Sequence, residues 1–131
     1  MRDEKGFVWV RPDDVEWRDS PMGGGARTSV QDGDPTKPGI YVQRIRYAPG
    51  MFTEPHFHPD DRHCLVLKGT WYMGTGEVKD IDKAVPLKAG TYMKHPAGGV
   101  HWDGAKDEEV IVQVIGFGPT GITRVKPNTS S

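Results

Sequence analysis

The sequence predicts an all-β domain, and two observations carry that prediction. The chain contains 17 Gly and 11 Pro, which favour frequent turns over long helices. Segments rich in Val, Ile, Tyr, Phe and Trp alternate with turn residues, and apolar residues do not recur at helical spacing over any long stretch. Many short strands joined by close turns are typical of a sandwich or a barrel.

The strand-like segments are bounded by Gly or Pro and are separated by short loops. They lie at residues 7–10, 39–48, 63–74, 90–95 and 109–118. Residues 77–90 have no strong period, so we expect a long hairpin connection that ends in a short strand. The length of 131 residues suits one domain, residues 1–131. Within it we expect an N-terminal strand region at 1–38, a barrel core at 39–125 and a frayed tail at 126–131.

Composition excludes several classes of function. The formal net charge is -1 and the Lys and Arg residues are scattered, which argues against nucleic acid or an anionic membrane as a partner. No apolar run is long enough to cross a bilayer. The single cysteine, Cys64, allows no intrachain disulfide, and strand alternation places it on the same side as Arg62. The start "MRDEKGFVWV" lacks a signal peptide's apolar stretch, which predicts a cytoplasmic protein unless a leader has been removed.

Three of the five histidines lie between residues 56 and 63. In a strand, His56 and His58 face the same side, roughly 7 Å apart, so their imidazoles can converge on one point. Neutral imidazole is a common ligand of divalent zinc, iron, copper and nickel, but two histidines rarely complete a site. By itself the pair is also compatible with surface or hydrogen-bonded strand histidines, and a metal site needs a third donor.

Two gapped motifs give the histidine pair a context. The first is formed by Gly50, His56, His58 and Gly69, and the second by Gly90, Pro96, Gly98 and His101. Both resemble the paired motifs of the cupin superfamily, and the flanking segments resemble small single-domain bacterial cupins. The chain departs from the pattern at two positions: Arg62 stands where the first motif has glutamate, and Ala105 stands where the second has asparagine.

The resemblance implies a double-stranded β-helix, the cupin or jelly-roll barrel, with a divalent metal inside its mouth. It brings His101 beside His56 and His58 and implies these three as the ligands of one transition metal. Iron is the metal expected first, with zinc, nickel, copper, cobalt or manganese as alternatives. The resemblance also implies a small-molecule substrate and a homodimer, with residues 7–10 as a strand that pairs between subunits.

Arginine cannot replace the motif glutamate, because it has no lone pair to donate and stays protonated. Three interpretations are open. Arg62 points inward as an anchor for a substrate carboxylate or enolate; or it pairs with Asp60 or Asp61 at the rim, leaving a three-histidine site like that of iron-dependent acetylacetone dioxygenase; or a bulge turns His63 inward as a fourth ligand. Further donors are His95 and Glu54, for which we expect surface or outer positions.

Two classes of function remain at this point. The first is a metal-dependent enzyme of the oxygenase type, or an isomerase or lyase, that acts on a small organic substrate which can be anionic. The alternative is a non-catalytic module that binds a metal or a small ligand. An open metal site inside a cavity favours the enzyme, although one fold supports many chemistries.

Overall fold

Two antiparallel sheets face each other and enclose the core, which confirms the all-β prediction. The computed structural model describes residues 1–125. The expected tail at 126–131 lies outside the described residues. The strands are β1 (Arg18–Asp19), β2 (Arg27–Asp32), β3 (Gly39–Tyr47), β4 (His56–Phe57), β5 (Arg62–Lys68), β6 (Thr70–Thr75), β7 (Val85–Lys88), β8 (Tyr92–His95), β9 (His101–Gly104), β10 (Val110–Gly118) and β11 (Thr123–Arg124).

The two sheets divide the strands unequally. One sheet has the order β1-β2-β3-β10-β5-β8 and the other the order β11-β4-β9-β6-β7. Two short 3₁₀ turns, Pro12–Asp14 and Ile81–Lys83, lie in the connections. Within residues 1–125, no helix is long and apolar enough to cross a membrane. Strands that are distant in the chain pair at the centre of the larger sheet: β3 pairs with β10, and β10 pairs with β5.

The core lies between the sheets and follows strand alternation. Every second residue of β10 is buried, beginning at Val110, Val112 and Val114. In β5 the buried residues Arg62, Cys64 and Val66 alternate with exposed neighbours, as predicted for Cys64 and Arg62. Arg62 is therefore a charged side chain on the same buried face of β5 as the apolar side chains of the core. Aromatic side chains fill the centre: Tyr41, Tyr47 and Trp71.

The structure differs from the strand predictions at several places, and the short strands β1, β9 and β11 also lie outside the predicted segments. The predicted segment 63–74 is two strands, because Gly69 turns the chain at a φ of 75° and a Cβ there would collide with the Glu109 carbonyl. The predicted strand at 7–10 is wrong: only an isolated bridge joins Arg2 to Val8, since no neighbouring strand of the described chain pairs with it. The polar strand β2 was not predicted, because its alternation of buried and exposed residues is weak.

Candidate metal centre

The two motifs meet at one end of the interior, where the three predicted ligands come together. His56 in β4 pairs directly with His101 in β9, and His58 follows β4. Each of the three residues is 2% exposed. The ring centroid of His56 lies 4.4 Å from that of His101 and 5.0 Å from that of His58. One ligand atom from each ring lies within 4.8 Å of the other two, close enough to share an ion.

Backbone carbonyls orient all three rings in the same way. In each ring Nδ1 hydrogen-bonds a main-chain oxygen, which fixes the proton on Nδ1 and leaves the lone pair on Nε2. The partners are Glu54 O for His56 at 2.6 Å, Gly121 O for His58 at 2.8 Å and Gly99 O for His101 at 2.9 Å. Among the described residues, Nε2 of His56 and Nε2 of His101 are buried without a hydrogen-bond partner.

A fourth histidine, His95, lies beside the three and was expected at the surface or in an outer position. It is buried at the end of β8 and stacks on His101 with a centroid distance of 3.7 Å. The Trp71 ring lies 5.4 Å from it on the core side. Its Nε2 also lacks a partner within residues 1–125. His95 therefore extends the cluster without belonging to either motif pattern.

A buried carboxylate, Asp103, completes a second group that the sequence reasoning missed. Asp103 is 1% exposed; its Oδ1 accepts a hydrogen bond from Thr53 Oγ1 at 3.2 Å, and its Oδ2 lies 3.8 Å from His101 Nε2. Ligand atoms of His95, His101 and Asp103 lie within 4.8 Å of one another. The signal was available: Asp103 follows His101 by two residues in a strand and therefore faces the same side.

Arg62 points inward, and its guanidinium lies against the cluster. The residue is 3% exposed, and in β5 it stands opposite His95 of β8. Its Nη1 lies 2.8 Å from Nδ1 and 2.9 Å from Nε2 of His58. Because His58 Nδ1 already donates to the Gly121 carbonyl, the acceptor for the arginine is the lone pair of Nε2.

The two other expected placements, Arg62 paired at the rim and His63 turned inward, are wrong, while the three-histidine site stays a prediction. Asp60 accepts hydrogen bonds from Tyr41 Oη at 2.7 Å and from Thr120 Oγ1 at 2.6 Å, and it does not pair with Arg62. Asp61 instead accepts from the Ala97 amide at 2.8 Å and lies 3.5 Å from Lys94 Nζ. No bulge turns His63 inward.

His63 and Glu54, the remaining expected donors, do not join the cluster. His63 is exposed on the outer face of β5, where its Nδ1 lies 2.6 Å from Tyr92 Oη. The Glu54 side chain is also exposed and forms an ion pair with Lys79 at 2.6 Å. Glu54 contributes to the centre only through its carbonyl, which orients His56.

Burial favours the neutral form of three imidazoles of the cluster, those of His58, His95 and His101. It lowers the pKa of His58 to about 2, with the Arg62 guanidinium as the next cause. Burial likewise lowers the pKa of His95 to about 2, and His101 adds to this. The pKa of His101 is also lowered by burial, although the Asp103 carboxylate opposes the shift. Neutral rings present lone pairs, which is the form that binds metal ions.

Two cavities of very different size meet at Arg62. The inner one, of about 10 Å³, lies among His58, Arg62, His95, His101 and Asp103. That volume is close to one water-sized sphere, so it suits an ion and excludes an organic molecule. The outer one has a volume of about 650 Å³ and is lined by Arg62 together with the segments 20–22, 34–36 and 120–122. A ligand of ordinary size fits the outer cavity, and Arg62 stands between that cavity and the inner one.

The donor set fits a divalent transition metal. Buried Nε2 atoms that converge without protein partners are the arrangement that a nitrogen-ligated ion satisfies, and the neighbouring carboxylate offsets part of its charge. Three imidazoles leave coordination positions open, as catalytic sites do.

Comparison with known proteins identifies the family of the chain. A family model described as the ChrR cupin-like domain matches residues 5–120. The chain belongs to the ChrR cupin-like family. This ChrR-like cupin departs from the superfamily pattern at Arg62 and Ala105, as noted from its sequence. No curated protein matches it significantly.

Solved structures share the fold at low sequence identity. The polyketide cyclase RemF from Streptomyces resistomycificus has a TM-score of 0.77 at 16% identity, over 94% of this chain and 88% of that one. A candidate acetylacetone dioxygenase from Methylibium petroleiphilum PM1 has a TM-score of 0.69 at 20% identity, over 99% and 88%. A cupin-like protein from Thermotoga maritima has a TM-score of 0.64 at 23% identity, over 81% of each chain. At these identities the likeness shows the cupin fold alone.

Proposed function

We propose that this ChrR-like cupin is a metal-dependent enzyme that acts on a small organic substrate in the outer cavity. The observation that carries the proposal is the convergence of the Nε2 atoms of His56 and His101, buried and without protein partners, beside His58. These three histidines are the proposed ligands. A structural ion would be enclosed by four protein ligands, whereas this set leaves positions open next to a cavity.

The proposed metal is iron, with zinc, nickel, copper, cobalt or manganese as alternatives. The alternatives stay open because imidazole ligands suit all of these metals except manganese comparably well. Such an ion, when bound, polarises a coordinated oxygen as a Lewis acid, and iron also supports dioxygen chemistry. A structurally similar protein described as a candidate acetylacetone dioxygenase, and the cyclase RemF, support small carbonyl compounds as the class to test first.

Residues of the chain itself supply binding, orientation and proton transfer. Arg62, which borders both cavities, is the proposed anchor for an anionic group of the substrate. Asp103 is the proposed proton acceptor, because its Oδ2 lies near the metal position while Thr53 holds its other oxygen. Trp71 and the buried valines exclude water behind the cluster.

The test is elemental analysis of protein purified without a histidine tag or chelator. Wild type is compared with the His56→Ala/His101→Ala double variant and with His63→Ala, a control that removes an exposed imidazole from the outer face. We expect about one equivalent of a single transition metal in wild type and in the control, and loss of it in the double variant.

Metal retained in the double variant would overturn the ligand set. No metal in wild type, even after anaerobic reconstitution with ferrous iron, would favour the alternative, a module that binds a small ligand without catalysis. If iron is found, dioxygen uptake with diketones and carboxylates identifies the reaction; zinc or nickel directs the screen toward isomerase and lyase reactions.

The homodimer and the cytoplasmic location stay predictions. The exposed side chains of Phe7 and Trp9 support a contact between subunits at the N-terminal segment. Light scattering of wild type and of a Phe7→Ser/Trp9→Ser variant tests it, because a dimer formed elsewhere would persist in the variant.

A further inference from the structure

Arg62 is a buried cation that lacks an anionic partner within residues 1–125. None of the ion pairs of the described chain includes it, whereas the nearby Lys79 and Lys94 each have a carboxylate neighbour. Its Nε is buried without a hydrogen-bond partner. A buried charge is costly unless it is paired, so the guanidinium is poised for an anion from outside the chain.

The one strong contact of the guanidinium competes with metal binding. Nη1 of Arg62 donates to the Nε2 lone pair of His58, the atom that His58 needs in order to bind an ion. One lone pair cannot accept the arginine proton and coordinate a metal at once. The positive charge of Arg62 also opposes a divalent cation at this distance. Metal binding through His58 therefore requires the guanidinium to turn away.

The outer cavity is where the guanidinium can turn. Arg62 lines both cavities, so a change of side-chain rotamer carries its fork from His58 toward the larger one. The fork of Arg62 matches a carboxylate, which accepts two parallel hydrogen bonds from it. The rest of the cavity wall combines one further cation, Arg124, and one carboxylate, Asp34, with polar groups and with the apolar side chains of Ile45 and Ile122. This lining suits a monocarboxylate with an apolar body.

We propose that Arg62 couples the two binding events: an organic monocarboxylate in the outer cavity draws the guanidinium away from His58 and thereby raises the affinity of the histidine cluster for its metal. This inference rests on the proposed function, since it assumes an ion at His56, His58 and His101. Coupling between two sites is reciprocal, so the metal raises the affinity for the carboxylate by the same factor. The centre is then assembled fully only when an anionic substrate is present.

The test measures metal affinity with and without a carboxylate probe. The dissociation constant for Co²⁺ is determined on wild type by competition with a chromophoric chelator, in buffer alone, with saturating benzoate and with benzyl alcohol, a neutral probe of similar shape. We expect benzoate to tighten Co²⁺ binding by about tenfold or more, within the usual range of coupling between sites, and benzyl alcohol to have no effect. Calorimetry of benzoate binding should show the same factor when Co²⁺ is present.

The Arg62→Gln variant separates the coupling from the metal site itself. It should bind Co²⁺ more tightly than wild type in buffer alone, and benzoate should no longer change that affinity. Co²⁺ binding to wild type that is equal with and without benzoate would overturn the coupling while leaving the metal centre intact. Failure of wild type to bind Co²⁺ under any condition would overturn the metal centre and the coupling with it. Because the wild-type measurement is decisive alone, a poorly folded variant does not weaken the test.

Discussion

The two histidine-bearing halves of the site carry opposite charges. The half formed by the first motif contributes His56, His58 and a cation, Arg62, while the half formed by the second contributes His101 and an anion, Asp103. In the superfamily pattern the carboxylate belongs to the first motif. The comparison shows that a carboxylate can lie beside the histidines although a different strand supplies it. Charge at such a site is a property of the assembled cavity, and single motifs do not report it.

The largest expected effect is on the affinity for Co²⁺, and it comes from reversing the charge that the first motif contributes at Arg62. Arg62→Glu replaces a cation beside the cluster by the glutamate of the superfamily pattern. Two unit charges about 4 Å apart interact by roughly 4 kcal/mol at an effective dielectric constant of ~20. We therefore expect Co²⁺ affinity to rise by at least about 100-fold.

The matched control for that variant is Arg44→Glu, which makes the same charge change at a residue hydrogen-bonded to Gln113 away from the cluster. Its Co²⁺ affinity should equal that of wild type. An equal rise in both variants would attribute the effect to net charge and would remove Arg62 from the site.

The second largest effect, also on the affinity for Co²⁺, comes from removing the negative charge that the second motif contributes at Asp103. Asp103→Asn keeps the shape of the side chain and its contact with Thr53 but removes the negative charge 3.8 Å from His101 Nε2. Groups that support metal ligands typically contribute about 10- to 100-fold to affinity, so we expect Co²⁺ binding to weaken by that amount. Asp60→Asn, at a carboxylate held by Tyr41 and Thr120, serves as the control and should leave the affinity unchanged.

A third effect concerns pH and the core next to Arg62. Burial raises the pKa of Cys64 from its ordinary value of 9.0 to about 12 and that of Tyr41 from 10.0 to about 12. Above pH 9 the unfolded chain releases protons that the folded chain keeps, so the free energy of unfolding falls as pH rises. The slope is at most about 1.4 kcal/mol per pH unit for each group.

Urea unfolding followed between pH 7 and pH 11 checks that slope. Cys64→Ala should show a shallower decline than wild type, because one of the contributing groups is gone. A free energy of unfolding that stays constant up to pH 11 in wild type would contradict the burial of these groups.

The smallest effect, on the free energy of unfolding, is expected for ion pairs on the outer surface of the barrel, where the charges are solvated. Glu109 forms ion pairs with Lys68, at 2.7 Å, and with Arg46, and the hydrogen bond from Lys68 is the main reason that the pKa of its carboxyl is lowered. Glu109→Gln should lower the free energy of unfolding at pH 7 by no more than about 1 kcal/mol, since solvent screens exposed pairs.

The difference in the free energy of unfolding between wild type and Glu109→Gln changes with pH in a defined direction. A carboxyl with a lowered pKa stabilises the fold above its ordinary pKa of 4.5, and the contribution disappears as the pH falls below it. Thermal unfolding of wild type and Glu109→Gln should therefore converge in acid. A difference that grows in acid would contradict the ion pairs.

The predictable part of this molecule rests on local patterns. Alternation and β-type composition predicted β3 and β10, whereas the resemblance of the two motifs to the cupin superfamily implied that His101 lies beside His56 and His58. Alternation within β5 placed His63 on the side opposite Arg62, and an inward Arg62 was one of three interpretations. Alternation is written along one strand at a time, which is why the sequence alone reports it.

The unpredicted part depends on which strands become neighbours. His95 lies opposite Arg62 only because β8 pairs with β5, and Asp103 borders the same inner cavity as Arg62 only because the two sheets face each other. The segment 7–10 has strand composition but no neighbour in the described chain, so it forms a single bridge. Non-local pairing of this kind leaves no signal within a short window of sequence.

The main-chain carbonyls behind the histidines have a consequence for how such a site can change over time. Because Glu54 O and Gly99 O accept hydrogen bonds from the rings of His56 and His101, main-chain atoms rather than the residue at position 62 orient these ligand atoms. Neighbours can therefore be exchanged, even a glutamate for an arginine, without turning the imidazoles. A lineage that keeps this backbone can therefore change the charge beside its ligand atoms by a single substitution, such as one at position 62.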